Sequence, residues 1–313
     1  MNKYKNGIIA LSLITTTALV GCSNSINSWI KYNEFEASEV IGNLNKMIFE
    51  EEGTSRYDIY AYVEENITKM PNIEMSSDIV NSFIYLIYQN VDYYNNLSMV
   101  IQDEIKNLES NLKVEQVDYS HIDKITEEYK IVKSLLEELN SNYLILTKTS
   151  NMYVVEVDIA RISDEFAEFM NNDTKNYLDF RIKESTLEVY NVNSDSYDIK
   201  IILELINDIY TNLDNVEGVT QLENWVEHLK YYFDMIFSVS QTTFINEDYI
   251  INSDVIKDFE EYIALYEGTT FYNILKEYIE ILDKNDYNIE SEEISTYLDA
   301  VYNDLNSFLV VEE

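Results

Sequence analysis

Glycine and proline are scarce in this chain, and that scarcity restricts its fold more than any other feature of the sequence. The 313 residues include six glycines and one proline, Pro71, and neither type occurs between Asn72 and Glu217. The tight turns of β-sandwiches, barrels and Rossmann-type sheets depend on these residues, because they adopt turn conformations that others avoid. The sequence therefore predicts an all-α fold.

The spacing of apolar residues supports this prediction. One stripe, in steps of four and three, runs from Val80 to Leu112 and is interrupted only at Ser98, and a second runs from Ile122 to Leu146. Such steps are typical of coiled-coil seams. Two long seams joined by a short link can bury one another by folding back. We therefore predict an elongated helical bundle with a long antiparallel coiled-coil-like hairpin at about residues 80–150.

Shorter stripes predict flanking helices. Before the hairpin, helices are expected over residues 29–50 and 56–70, and after it the stripes begin at Val155, Ile199, Leu222, Ile256, Phe271 and Ile294. Gly268 is expected to end one of these helices and Ser291 to cap the last. If the acidic helical domain at residues 29–313 is subdivided, the division is expected in the polar run at 190–196.

The N-terminus has the pattern of an export signal. Lys3 and Lys5 precede an apolar stretch at residues 8–20 that is too short to span a bilayer permanently. It leads into Leu19-Val20-Gly21-Cys22, which resembles the lipobox of bacterial lipoprotein precursors. The resemblance covers only about the first 25 residues. It implies a signal peptide at residues 1–21, cleavage between Gly21 and Cys22, and a lipid on the Cys22 thiol.

The same resemblance gives an expected location. Through acylated Cys22 the protein would be anchored in the cell membrane on its extracytoplasmic face, and the polar residues 22–28 would form only a short tether. Cys22 is the only cysteine, so no intramolecular disulfide can form.

The charge of the chain limits its partners. There are 58 acidic and 21 basic residues, giving a formal net charge of −37. Removing Lys3 and Lys5 with the signal leaves −39. A charge of this sign repels nucleic acid and anionic headgroups, so neither is expected as a ligand. It favours a basic protein or peptide, or divalent cations.

No catalytic or cofactor motif is found. Phosphate-binding loops require more glycines than the chain has, and Gly-x-Ser-x-Gly is absent. The two histidines, His121 and His228, lack the Glu-x-x-His spacing of di-iron bundles, and each is expected to be a solvated imidazole near a carboxylate. No cofactor, metal ligand or catalytic residue is therefore predicted.

Two acidic patterns imitate sites. The segment Asp283–Glu293 resembles a calcium loop, but it lacks the central glycine and is one residue short. We interpret it as a polar loop with Ser291 as a helix cap. Adjacent acidic pairs are interpreted as solvated helix faces, because neighbouring helical residues point about 100° apart. These pairs are Glu51-Glu52, Glu127-Glu128, Glu137-Glu138 and Glu292-Glu293.

Tyrosine is abundant, and two groups recur at helical spacing. They are Tyr57, Tyr60 and Tyr62, and Tyr85, Tyr88, Tyr93 and Tyr94. Most are expected at the rim of the core, and some could serve a protein interface, where tyrosine is favoured.

The leading hypothesis is a non-enzymatic lipoprotein that binds a protein, a basic peptide or an envelope component. One alternative is a cation-binding protein with converging carboxylates, and another is an immunity or exclusion lipoprotein.

Overall fold

The computed structural model describes residues 31–49, 54–149, 152–187, 189–191, 196–213, 215–216, 218–237, 244–246 and 248–309. This part of the chain is mostly helical, which confirms the predicted helical class. Its α-helices are α1 Glu34–Phe49, α2 Arg56–Ile67, α3 Ile73–Val100, α4 Gln102–Leu112, α5 Lys130–Ser141, α6 Ile159–Phe166, α7 Asn172–Ser185, α8 Ile199–Leu213, α9 Val219–Phe237, α10 Ser253–Leu265, α11 Thr270–Lys284 and α12 Glu292–Ser307. Within the same ranges, no helix is both long and apolar enough to cross a membrane.

Two antiparallel β-hairpins accompany the helices. The first pairs β1 Leu144–Thr149 with β2 Met152–Val157, and Leu146 lies opposite Val155. The second pairs β3 Tyr190–Asn191 with β4 Ser196–Tyr197. This shorter hairpin occupies the polar run in which a domain division is expected.

Polar side chains fix the starts of several helices. Asn72 follows Pro71 and accepts a hydrogen bond from the amide of Met75, which starts α3. Ser291 accepts from the amide of Ile294, so its predicted role as a cap is confirmed. Gly268, with φ of 91°, lies just beyond the end of α10, as predicted for a residue that tolerates left-handed backbone.

The first apolar seam is buried as the spacing predicts, but it does not form one helix. Val80, Ile87, Tyr94, Ile105 and Leu108 are all buried. However, Ile101 leaves helical geometry and separates α3 from α4. The buried Ser98 hydroxyl donates to the carbonyl of Asn95, and such local bonds favour bending of a helix.

The second seam is also buried, yet the predicted coiled-coil-like hairpin is not confirmed. Two short 3-10 helices, Tyr119–Lys124 and Glu127–Tyr129, precede α5, and the chain then enters β1. The change occurs at Tyr143, whose φ of 55° is incompatible with a continuing α-helix.

The stripe that begins at Val155 is likewise part strand rather than helix. Tyr153, Val155 and Val157 are buried at a spacing of two, which suits β2, and α6 begins only at Ile159.

Side-chain amides complete the hydrogen bonding at the edges of the first hairpin. On the β2 edge, Asn95 bonds both backbone groups of Val155, and Gln102 bonds both backbone groups of Tyr153. On the β1 edge, Gln116 donates to Leu146 O and accepts from Lys148 N. Helix α3 therefore packs against β2, where a second long helix was predicted.

The buried apolar side chains of the described residues form one cluster from Ala37 to Leu305. Helix α7 links the earlier and later helices of this core, because it packs against α6 and also against α8 and α9.

Candidate functional site

The predicted anchor residues Gly21 and Cys22 lie outside the described residues, as does the acidic pair Glu51-Glu52.

His121 has a local structural role and, with a side chain that is 15% exposed, is not the solvated imidazole that the sequence suggested. It lies in the 3-10 helix Tyr119–Lys124, whose N-cap is Asp118. The carboxylate of Asp118 accepts from the amide of Ser120 at 2.8 Å, and the backbone amide of Asp118 donates to His121 Nδ1 at 3.4 Å. The imidazole thus forms part of a capping box, an arrangement that stabilises the start of a helix.

His228 is not the solvated residue that the sequence suggested. Its side chain is 19% exposed, and its Nδ1 atom lies 3.0 Å from the hydroxyl of Tyr177 on α7. Burial is the main cause that lowers the pKa of His228, and the nearby guanidinium of Arg181 lowers it further. From the sequence, the expected neighbour of His228 was Glu227. In the structure the ring faces α7 instead, because His228 lies on the same side of α9 as the buried Trp225 and Leu229.

The calcium-like segment forms a turn between α11 and α12. Asp283 accepts a hydrogen bond from the hydroxyl of Tyr287, and Asn285 donates to Glu293. Asp286 and Tyr287 both adopt positive φ, which reverses the chain. In the described ranges, no group of three or more His, Cys, Asp or Glu side chains is arranged to hold a metal ion. The structure therefore gives no support to the cation-binding alternative.

The tyrosines at helical spacing separate into two sets. Tyr94 is fully buried, and Tyr60 and Tyr62 pack against the core. By contrast, Tyr57, Tyr85, Tyr88 and Tyr93 remain exposed. The exposed set indicates a surface that the core does not use.

The three exposed tyrosines of α3 share one side of that helix. Successive helical residues are rotated by about 100°. The exposed positions between 85 and 100 therefore fall on an arc of about 140° around α3, opposite the buried seam, and extend for about 22 Å along its axis. With Phe49 at the end of α1, whose ring centroid lies 5.0 Å from that of Tyr85, they form a surface that we call the aromatic face. It comprises Phe49, Tyr85, Tyr88, Gln89, Asp92, Tyr93, Asn96, Met99 and Val100.

The apolar members of this face are well exposed. Val100 is 80% exposed, Met99 62%, Tyr93 53% and Tyr85 47%. Single exposed apolar side chains are common on proteins, but a continuous group along one helix is typical of an interaction surface. Tyrosine and methionine are also residue types enriched at protein interfaces.

One edge of the aromatic face rests on a partly buried polar network. The Tyr94 hydroxyl donates to Glu138 at 3.0 Å and accepts hydrogen bonds from Arg56 and Asn142. Burial is the main cause that raises the pKa of Tyr94, and the negative charge of Glu138 raises it further. The neutral hydroxyl therefore joins α2, α3 and α5 beneath Tyr93.

A second polar network supports the other edge of the aromatic face. Arg181 of α7 donates to Glu184 at 2.6 Å, and its guanidinium carbon lies 5.7 Å from the ring centroid of Tyr88. Glu184 also accepts from Tyr232 of α9. Burial raises the pKa of Tyr177 to about 12, so this side chain is a neutral neighbour of the ion pair.

Polar groups at the centre of the aromatic face have no partner within the described chain. The side chains of Gln89, Asp92 and Asn96 are exposed and make no hydrogen bond or ion pair with described residues. The face therefore presents rings, a carboxylate and amides, which suits binding by packing and hydrogen bonding.

Phe49, Asp92, Met99 and Val100 were not predicted from the sequence to belong to this surface. A usable signal was present, because positions 85, 88, 92, 96 and 99 repeat every three or four residues opposite the buried seam.

Comparison with protein-family models, curated proteins and solved structures found no match to this chain.

Proposed function

We propose that this protein is a non-enzymatic lipoprotein, anchored through Cys22 on the extracytoplasmic face of a bacterial cell membrane, that binds a basic protein segment through the aromatic face. The observation that carries the proposal is the row of exposed tyrosine, methionine and valine side chains along α3.

The charge of the chain supports the choice of a basic partner. A net charge of −37 attracts cationic proteins over a distance of about one Debye length and repels acidic ones. Apolar contact on the aromatic face would then provide binding energy that charge alone does not, because surface ion pairs are weak. The combination favours a partner segment with both basic and apolar side chains.

The anchor is tested by replacing Cys22 with alanine. We expect the wild-type protein to partition with membranes and into detergent, and its mature N-terminal peptide to carry the mass of a diacylglycerol. Cys22→Ala would keep the leader and lose the lipid mass. A wild-type protein whose N-terminal peptide begins elsewhere, or carries no lipid, would show that the anchor assignment is wrong.

The binding surface is tested by photo-cross-linking in living cells. A benzophenone amino acid at Tyr93 samples the aromatic face, and the same amino acid at Leu265 provides the control. Leu265 is 77% exposed and ends α10, which packs against α8 and α11. We expect a discrete protein adduct at Tyr93 and none at Leu265.

A second substitution shows whether the adduct depends on the face. Val100→Asp adds a charge to the most exposed apolar position of α3, so it should abolish the adduct at Tyr93. Equal adducts at Tyr93 and Leu265, or an adduct unaffected by Val100→Asp, would contradict the proposed function.

A further inference from the structure

The arginines of this chain have similar surroundings. It contains three arginines, Arg56, Arg161 and Arg181, against eighteen lysines. The guanidinium carbons of these arginines lie 5.1 Å, 4.2 Å and 5.7 Å from the ring centroids of Tyr94, Tyr143 and Tyr88, respectively. Every arginine of the chain is therefore within cation–π distance of a tyrosine ring.

Each of these arginines also has a glutamate partner. Arg56 lies 3.6 Å from Glu138, Arg161 lies 2.8 Å from Glu165, and Arg181 lies 2.6 Å from Glu184. A ring and a carboxylate thus recur together as the arginine environment of this protein.

Lysines rarely share this arrangement. Among the described lysines, Lys69 lies over Tyr32 at 5.8 Å and Lys276 over Tyr272 at 5.6 Å. The difference has a physical basis. A guanidinium is planar and weakly hydrated, so it can stack on a ring and still donate to a carboxylate, whereas an ammonium is compact and strongly hydrated.

The aromatic face offers the same two groups in an exposed position. Asp92 lies one helical turn after Tyr88 and directly before Tyr93, and Tyr85 lies two turns before it. The Asp92 carboxylate and the hydroxyls of Tyr85 and Tyr93 make no hydrogen bond with the described chain. The two arginines that border this region, Arg56 and Arg181, are paired with their own glutamates. The guanidinium carbon of Arg56 also lies 5.7 Å from the ring centroid of Tyr93, so of Tyr85 and Tyr93 it is the Tyr85 ring that has no arginine of the chain over it.

We propose that the partner segment places arginine on the aromatic face, where one guanidinium stacks on the ring of Tyr85 and a neighbouring cationic side chain pairs with Asp92, while apolar side chains beside them pack on Phe49, Met99 and Val100. This inference rests on the proposed function, and it specifies the chemistry that the face recognises.

The experiment uses the full acylated lipoprotein in nanodiscs of phosphatidylcholine, a neutral lipid that does not itself attract cationic peptides. The probes are three labelled 16-residue peptides with the same leucines and with arginine, lysine or citrulline at four positions. Fluorescence anisotropy at low and high sodium chloride gives their dissociation constants. We expect the arginine peptide to bind about 2- to 5-fold more tightly than the lysine peptide for each ring engaged, and the citrulline peptide to bind weakest.

Two variants connect the preference to the site. Tyr85→Leu keeps an apolar side chain but removes the ring, so it should reduce the arginine-over-lysine ratio toward one. Asp92→Asn should weaken both cationic peptides and flatten their salt dependence. Glu267→Gln removes the same charge from an exposed position beyond α10, and it should leave all three affinities unchanged.

The outcomes separate the two proposals. Equal binding of arginine and lysine peptides that is reduced equally by Tyr85→Leu would overturn the arginine inference and retain the aromatic face as a binding surface. An adduct at Tyr93 in cells with no peptide binding would also overturn the arginine inference alone. Absence of both the adduct and peptide binding would overturn the proposed function as well.

Discussion

Replacing Asn95 by leucine would test whether side-chain amides hold the first hairpin on α3. Asn95 Oδ1 accepts from Val155 N at 2.7 Å, and Asn95 Nδ2 donates to Val155 O at 3.3 Å. Val155 is 1% exposed, so leucine would leave a backbone donor and a backbone acceptor without solvent to replace the lost bonds.

The expected loss of stability follows from these two bonds. Each buried polar group left unpaired costs about 1–3 kcal/mol, and the longer bond belongs at the lower end of that range. We therefore expect Asn95→Leu to reduce the free energy of unfolding by about 2–4 kcal/mol. Asn95→Asp can still accept from Val155 N but cannot donate to Val155 O, so it should lose about half as much.

Urea unfolding followed by circular dichroism at 222 nm measures the change through the transition midpoint at constant slope. Asn96→Leu is the matched control, because Asn96 is the adjacent residue of the same type and is exposed without described partners. Its effect should stay within about 0.5 kcal/mol. If Asn95→Leu is no more destabilising than Asn96→Leu, the amides do not hold the hairpin.

Three further outcomes are expected. Because the pKa of His228 is lowered in the folded protein, the unfolded chain takes up a proton first as the pH falls below about 6.5. The free energy of unfolding should therefore decrease below that pH. His228→Gln should reduce this decrease, as measured by urea titrations at pH 7 and pH 5. Tyr278→Phe should be neutral or stabilising, since its buried hydroxyl has no hydrogen-bond partner among the described residues. By contrast, Tyr94→Phe should cost about 1–3 kcal/mol because it removes a hydroxyl with three partners, and equal thermal midpoints for the two variants would contradict this. Micromolar calcium should not raise the thermal midpoint above that in EDTA with matched sodium chloride, and a specific increase would revive the cation-binding alternative.

Much of the helical architecture could be predicted from local signals. The scarcity of glycine and proline excludes most turn-rich folds. The apolar spacing and the Ser291 cap depend only on residues a few positions apart in the chain. The seams also identified the buried side of α3, α4 and α5 correctly. What the seams could not establish was the backbone conformation, because a buried apolar residue every three or four positions is compatible with a helix that stops.

Tyr143 shows why the predicted coiled-coil-like hairpin is not confirmed. It continues the apolar spacing and is buried, but its left-handed backbone ends the helical path and starts β1. The alternation of Tyr153, Val155 and Val157 was a usable strand signal. It was outweighed by the longer helical pattern on both sides. The stabilising amides Asn95, Gln102 and Gln116 act between distant segments, which spacing within one segment does not reveal.

The candidate site was predictable only in part. Tyr85, Tyr88 and Tyr93 were recognised as possible interface residues, but Tyr94 belongs to the same run and is fully buried. Only the packing of α2 and α5 around α3 separates these neighbours. The proposed role of Asp92 depends on its side chain having no partner among the described residues, which is a property of the folded chain.

The pairing of all three arginines with glutamates of the same chain also affects how copies of this protein would behave side by side on the membrane to which we propose that it is anchored. A neighbouring copy would have carboxylates and tyrosines to offer but no uncommitted guanidinium. Crowded molecules would therefore repel one another laterally and would not occupy each other's aromatic faces. Raising the surface density would increase the number of open faces in proportion, so capacity for an arginine-bearing partner would not be lost to self-association.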